Sequence, residues 1–182
     1  MIVLNLELDG IYGFDDFKIN FTYPKKVVNS IIDDEYLDGR ERFRYKKAVI
    51  LMGANATGKT SIGKALLKII TYINTGNIAV LYDMIMGKTG SFLIDFVNDG
   101  FCLHRLIGNI DVVTSSIDIK YQSAKIDKMD SYEKCITKLE DHTNEAMKNI
   151  NSLKKIIGPI SYRFAYPEIE SSILLNDIDR QV

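Results

Sequence analysis

The stretch from Gly53 to Thr60 constrains the fold of this chain more than any other. It reads Gly-Ala-Asn-Ala-Thr-Gly-Lys-Thr, which has the spacing of a phosphate-binding loop. Glycines allow the backbone to turn its amides toward a phosphate, and the lysine supplies a positive charge. The candidate binding residues are those of the loop and the serine after it: Gly53, Ala54, Asn55, Ala56, Thr57, Gly58, Lys59, Thr60 and Ser61.

Two of these residues have more specific expected roles. Lys59 would reach the β- and γ-phosphates as a point charge and is the candidate catalytic residue. The hydroxyl of Thr60 would take one position on Mg²⁺, an ion that prefers oxygen ligands and keeps several waters. The loop therefore predicts a site for a nucleoside triphosphate with Mg²⁺.

The residues on both sides of the loop favour the same interpretation. Ala48 to Met52 is a short, unbroken apolar run, which predicts a buried parallel strand. After the loop, apolar residues recur at spacings of three and four, which predicts a helix from about Lys59 to Asn74. These residues are Ile62, Ala65, Leu66, Ile69, Ile70 and Ile73. A strand, a glycine loop and a helix in succession are the context that the motif requires.

The composition is typical of a soluble globular protein. Of the 182 residues, 46% are hydrophobic and 26% are charged, and the formal net charge of −1 provides no overall attraction to nucleic acid or to an anionic membrane. The sequence has no membrane-spanning run and no signal-peptide pattern, so we expect a cytoplasmic protein. Cys102 and Cys135 follow no metal-ligand spacing, and we expect buried or unreactive thiols.

The first 128 residues predict two units. Residues 1–75 would form the nucleotide-binding core, with Ile2–Leu8 and Phe17–Phe21 paired as an N-terminal hairpin, because both stretches alternate apolar and polar residues. Residues 76–128 would form an inserted antiparallel β-subdomain. Alternation on both sides of Asn98-Asp99-Gly100 predicts a hairpin there.

The C-terminal part predicts a long helix and a short end segment. Within residues 129–158, apolar residues follow a 3-4-3-4 spacing, which favours one long amphipathic helix that either lies on its own domain or forms a coiled-coil arm. Residues 159–182 would contain a strand and a truncated segment. His104 is expected to be a half-exposed strand residue without a metal, and the basic run Arg40–Lys47 a solvated face rather than a phosphate or nucleic-acid contact.

A family resemblance rests on the loop, in which Asn55 follows the first glycine by two residues. The loop resembles the Walker A loop of ABC/SMC-type ATPases, and especially that of the stand-alone AAA-family ATP-binding proteins of prokaryotes, which include OLD-type nucleases and anti-phage defence ATPases. The N-terminal hairpin and the hairpin of Ser91–Leu106 are similar to elements of that family, so the resemblance covers about residues 1–120. It implies an α/β fold: a P-loop NTPase half-domain of the ABC/SMC-like type, with the inserted antiparallel β-subdomain and the long helix.

The resemblance also implies a function. ATP would be bound by Gly53, Asn55, Gly58, Lys59, Thr60 and Ser61, with Mg²⁺ on Thr60. Hydrolysis would occur between two heads that face each other, so the expected partner is a second ATPase head or a second copy of this chain, with DNA or an effector protein as further partners and no membrane.

The sequence departs from the family pattern in its acidic residues. A Walker B motif is an apolar strand that ends in Asp-Glu, and the two nearest stretches, Phe92–Asp95 and Ile173–Asp177, both lack the Glu. A Ser-Gly-Gly signature is also missing, and Gln122 is as easily a surface residue as the Gln of such a site. We therefore expect an N-terminal lobe that binds ATP better than it hydrolyses it. A P-loop kinase or other small NTPase, and a nucleotide-binding interaction module without hydrolysis, remain as alternatives.

Overall fold

The computed structural model describes residues 1–23, 35–54, 57–98 and 100–143. Their elements are β1 (Ile2–Asp9), β2 (Phe17–Asn20), β3 (Tyr36–Leu37), β4 (Arg40–Arg44), α1 (Lys59–Thr75), α2 (Ala79–Tyr82), β5 (Thr89–Val97), β6 (Cys102–Asp111), β7 (Ser116–Lys125), α3 (Tyr132–Ile136) and β8 (Glu140–Asp141). The described fold is mixed α/β, and antiparallel pairing dominates its sheets.

Six strands form one sheet in the order β2-β1-β5-β6-β7-β8. The two predicted hairpins are confirmed, since β1 pairs antiparallel with β2 and β5 pairs antiparallel with β6. The sequence assigned the second hairpin to a separate unit after residue 75. In the structure, β1 instead pairs with β5 from Ile2↔Val97 to Asp9↔Ser91, so both hairpins belong to the same sheet.

Helix α1 covers one face of this sheet. Its apolar side chains bury against Leu6, Ile94 and Leu106 of the strands, because the three-and-four spacing places them along one side of the helix. The buried residues of α1 are Ile62, Ala65, Ile69, Ile70, Tyr72 and Ile73. The predicted helix is confirmed within one residue at its end, where Gly76 adopts φ 69° and donates its N–H to Tyr72 O at 2.7 Å.

A second apolar cluster lies on the opposite face, toward the ends of β5 and β6. Val97 and Leu103 alternate with residues that face α1, and they pack with Phe43 of β4, Ile126, and Tyr132 of α3. The small sheet of β3 and β4 and the short helix α3 therefore cover the side of the main sheet that α1 leaves open.

The predicted strand over Ala48–Met52 is wrong, because these residues form no strand. The exposed fraction is 82% for Ile50 and 88% for Met52. Among the described residues, the last backbone hydrogen bond before this stretch is at Lys46, whose N–H donates to Phe21 O, and the chain then continues to the loop. A buried parallel strand needs neighbours with the same direction, and the pairings between the strands of the main sheet are all antiparallel in the described ranges.

The predicted helix over residues 129–158 is wrong for its first half. Helix α3 ends at Ile136, and the chain then pairs Glu140 and Asp141 with the free edge of β7. Lys138 bonds back to Asp127 at 2.9 Å and to Asp130 at 2.6 Å, which turns the chain toward that edge. Residues 144–158 of the predicted helix and the whole of 159–182 lie outside the described residues. No helix among those described has the length and apolar character to cross a membrane.

Candidate functional site

The predicted phosphate loop lies at the beginning of α1. Gly53 and Ala54 come before Asn55 and Ala56 in the chain, Thr57 and Gly58 come after them, and Lys59 is the first helical residue. Asn55 and Ala56 lie outside the described residues. The loop is open to solvent, since Gly53, Ala54, Thr57 and Thr60 are exposed and Ser61 is half-buried.

The ammonium group of Lys59 folds back over the loop. Its Nζ donates to Gly53 O at 2.8 Å, to Ala54 O at 2.6 Å and to Thr57 Oγ1 at 3.2 Å. Thr57 Oγ1 in turn donates to Ala54 O at 2.9 Å. These contacts hold the two ends of the loop together and place one full positive charge beside the first turn of the helix.

Gly58 connects the loop to the helix and must be a glycine for two reasons. Its φ of 84° lies in the left-handed region, which residues with a Cβ rarely adopt. A Cβ added there would also lie 2.8 Å from Cζ and 2.9 Å from Cε1 of Phe14. The carbonyl of Gly58 accepts the N–H of Ile62 at 3.0 Å, so this residue is also the first hydrogen-bonded link of the helix.

The N-terminus of α1 has the electrostatic character of an anion site. The N-cap residue, Gly58, gives no side-chain cap, and the first turn contains no acidic residue. The first amides of a helix lack intrahelical partners and carry about half a unit of positive charge in total. Together with the Lys59 ammonium, they form a region of positive potential that a phosphate could occupy.

The residues present fit a Mg²⁺ ion only if the ligand supplies most of its oxygens. Thr60 is exposed in the first turn of α1 and offers one hydroxyl. Across the described ranges, no group of three or more His, Cys, Asp or Glu side chains is arranged to hold a metal ion. Mg²⁺ is commonly bound through one or two protein oxygens, substrate phosphates and waters, so a single hydroxyl is compatible with a Mg-nucleotide but not with an independent metal site.

Asp95, the acidic residue of the first Walker B candidate, has a structural role. Its carboxylate is fully buried and accepts Arg105 Nε at 2.7 Å and Arg105 Nη2 at 2.8 Å. The hydroxyl of Tyr132 donates to the same carboxylate at 2.6 Å. Burial, followed by the charge of Asp95, raises the pKa of Tyr132, so this hydroxyl stays protonated as a donor. Asp95 therefore joins β5, β6 and α3. The second Walker B candidate, Ile173–Asp177, lies outside the described residues.

Sequence reasoning missed the contribution of Phe14 to the loop. Phe14 is half-buried in the turn between β1 and β2 and packs against Phe17, with ring centroids 4.7 Å apart and the ring planes tilted by 36°. It is far from Gly58 in sequence, so no local pattern connects the two residues. The predicted hairpin of Ile2–Leu8 and Phe17–Phe21 implied a turn between the two strands but not what the turn contacts.

Other predicted features lie away from the loop. His104 is a strand residue as expected, but the prediction of half exposure is wrong, because only 3% of it is exposed between Phe96 and Tyr121. Gln122 lies on β7 and pairs with Arg105 and Asp141. In the basic run, Arg40 is more than a solvated charge: its guanidinium lies 3.6 Å from the centroid of the Phe101 ring.

The two cysteines are free thiols. Cys135 is buried, which together with the nearby charge of Asp130 raises its pKa to about 12, and burial also raises the pKa of the half-buried Cys102. Both shifts disfavour the reactive thiolate.

Comparison of the sequence with models of protein families gave no match, and comparison with curated proteins gave none either. The functional interpretation therefore depends on the loop itself and on its geometry.

Proposed function

We propose that this chain binds ATP with Mg²⁺ through the loop Gly53–Thr60 and Ser61. The observation that carries the proposal is the position of the Lys59 ammonium, held by Gly53 O and Ala54 O directly beside the uncapped start of α1. A positive charge and free helix amides at one point are what a triphosphate requires from a protein.

Each part of the loop has a role in this proposal. The backbone amides around Gly58 would surround the β-phosphate, and Lys59 would move from the loop carbonyls to the β- and γ-phosphates. Thr60 would contribute its hydroxyl to Mg²⁺, which would neutralise the phosphate oxygens. Ser61, at the next position of the helix, would donate a hydrogen bond to the phosphates.

We further propose that the chain acts as the N-terminal lobe of an ABC/SMC-like ATPase in the cytoplasm. Nucleotide would drive two heads to associate, in DNA maintenance or phage defence, with DNA or an effector protein as the further partner. Hydrolysis needs an acidic residue that polarises water. The carboxylate of Asp95 does not serve this role, because it already accepts hydrogen bonds from Arg105 and Tyr132. The chain is therefore proposed to bind ATP more efficiently than it hydrolyses it.

Calorimetry on two matched lysine variants tests ATP binding. Lys59→Ala should weaken Mg-ATP binding by roughly 10- to 100-fold, since a charge-assisted contact contributes about 1.5–3 kcal/mol. Lys64→Ala removes the same charge from an exposed position on the same helix and should leave the affinity nearly unchanged. Well-folded wild-type protein that takes up no Mg-ATP would refute the proposal.

One observation favours a second candidate, the interaction module that binds nucleotide without hydrolysing it. Val49, Ile50, Leu51 and Met52 form a continuous exposed apolar stretch next to the loop. Exposed apolar patches often mark sites of protein association. Assembly in the presence of nucleotide distinguishes the candidates: retained Mg-ATP binding without ATP-dependent association of two copies would favour the module, because the proposed ATPase lobe associates when nucleotide is bound.

A further inference from the structure

The turn between β1 and β2 has an unusual backbone. Within Gly10–Asp16, two glycines and two other residues have positive φ angles: Gly10 at 64°, Tyr12 at 49°, Gly13 at 78° and Asp16 at 46°. Residues with a Cβ adopt such angles at an energetic cost, and they persist only where the surrounding structure holds them. This turn is therefore a fixed feature rather than a passive connection.

Three backbone hydrogen bonds hold the turn. Gly10 N donates to Phe14 O at 2.8 Å, and Phe14 N donates to Ile11 O at 2.8 Å, which closes the turn on itself. Tyr12 N donates to Met84 O at 2.7 Å, which ties the turn to the segment after α2. The backbone of Phe14 is thus fixed relative to the sheet and to the helical layer.

The fixed turn presents the ring of Phe14 to Gly58. The edge of the ring fills the space where a side chain at Gly58 would begin, with Cζ 2.8 Å and Cε1 2.9 Å from that point. A ligand therefore cannot approach Gly58 from this side. Elsewhere in the loop, Gly53, Ala54 and Thr57 stay exposed to solvent.

We infer that Phe14 is a positioning residue for the phosphate loop at its junction with α1: its ring holds Gly58 in the left-handed conformation, so that the amides of Gly58 and Lys59 are arranged before the ligand arrives. The inference rests on the proposed function, because it assigns the loop a polyphosphate ligand. Arrangement of the loop in advance strengthens binding because the ligand does not have to order it.

This role predicts which part of the ligand depends on Phe14. Phe14 acts on the backbone that surrounds the phosphates, so its contribution is independent of the base and the sugar. ATP and inorganic tripolyphosphate, which share the polyphosphate chain, should therefore lose affinity by the same factor when the ring is removed. A ring that stacked on the base would affect ATP alone.

The test is calorimetry of the full chain with Mg-ATP and with Mg-tripolyphosphate. Phe14→Ala should weaken both ligands by the same factor, roughly 3- to 10-fold, which corresponds to ordering of one or two groups on binding. Phe14→Leu keeps an apolar side chain but lacks the ring edge, so it should weaken both ligands by a similar factor. It provides the test if Phe14→Ala fails to fold. Phe101→Ala, which removes a half-buried ring at the opposite end of the sheet, should change neither affinity.

A spectroscopic measurement separates positioning from general stability. In the wild-type chain, the ring current of Phe14 should displace the NMR signals of the Gly58 α-protons, and both Phe14 variants should abolish this displacement while Phe101→Ala keeps it.

The outcomes distinguish the two proposals. Loss of ATP affinity alone, equal affinities in wild type and variants, or Gly58 signals that do not respond to Phe14 would each overturn the positioning role and leave the proposed function standing. A wild-type chain that binds neither ligand would overturn both.

Discussion

At the residue scale, His104 shows how burial controls a side chain that usually titrates near neutral pH. Its Nδ1 lies 2.8 Å from the hydroxyl of Tyr121, and its Nε2 lies 3.1 Å from Asn98 Oδ1. An amide oxygen only accepts, so Nε2 donates to Asn98 and Nδ1 accepts from Tyr121, which is the pattern of a neutral ring. Burial lowers the pKa of His104 to about 4 and raises the pKa of Tyr121 to about 12.

This histidine predicts a loss of stability in mild acid. The folded-state pKa lies below the ordinary value of 6.5, so the unfolded chain binds more protons between the two values. The contribution is complete above pH 6.5 and falls by about 3 kcal/mol as the pH drops from 6.5 to 4. Urea unfolding at several pH values should show this fall in the wild type and its absence in His104→Gln. Parallel pH curves for the two proteins would contradict the prediction.

Individual residues were predictable where their function depends on spacing along the chain. The order of Gly58, Lys59 and Thr60 indicated the loop, and the structure places all three at the helix start. The engagement of Asp95 by Arg105 and Tyr132 was not predictable, because strand register and helix packing bring these residues together.

At the element scale, helix α1, which follows the loop, buries one face against the sheet and exposes the other. Ile69 is fully buried against the sheet, whereas Leu67, two positions earlier, is 40% exposed on the outer side. This contrast within one helix allows the contribution of the buried face to be measured directly.

We expect Ile69→Ala to lower the free energy of unfolding by about 2–5 kcal/mol, because it leaves a cavity beneath the helix. Leu67→Ala should cost less than about 1 kcal/mol, since its side chain already contacts water. Urea denaturation of the two variants measures both values. Equal losses would mean that α1 does not pack on the sheet as described.

Elements with strong local periodicity were predictable, and elements that depend on distant partners were not. The apolar spacing of α1 and the alternation of β5 and β6 are local, and both predictions are confirmed. Ala48–Met52 has the composition of a buried strand, but a strand is defined by its neighbours, and the described residues offer it none. The apolar spacing over residues 129–158 predicted a helix, but Glu140 and Asp141 instead pair with the edge strand β7.

At the scale of the whole molecule, the proposed nucleotide site predicts a change in assembly. The net charge of −1 opposes the approach of a second copy only weakly. Sedimentation velocity should show a shift from monomer toward dimer in saturating Mg-ATP, with Lys59→Ala remaining monomeric and Lys64→Ala behaving as wild type. An unchanged sedimentation coefficient at full ATP occupancy would contradict head association while leaving nucleotide binding intact.

The position of β1 has a consequence for synthesis of the chain. This strand is synthesised before α1 and β5, yet it lies inside the sheet, bonded to β2 on one side and to β5 on the other. Its pairing of Ile2 with Val97 and of Asp9 with Ser91 cannot form until translation has passed β5. The loop Gly53–Thr60 and α1 emerge in that interval, so the nascent chain carries the proposed ligand-binding segment before the sheet that supports it has formed.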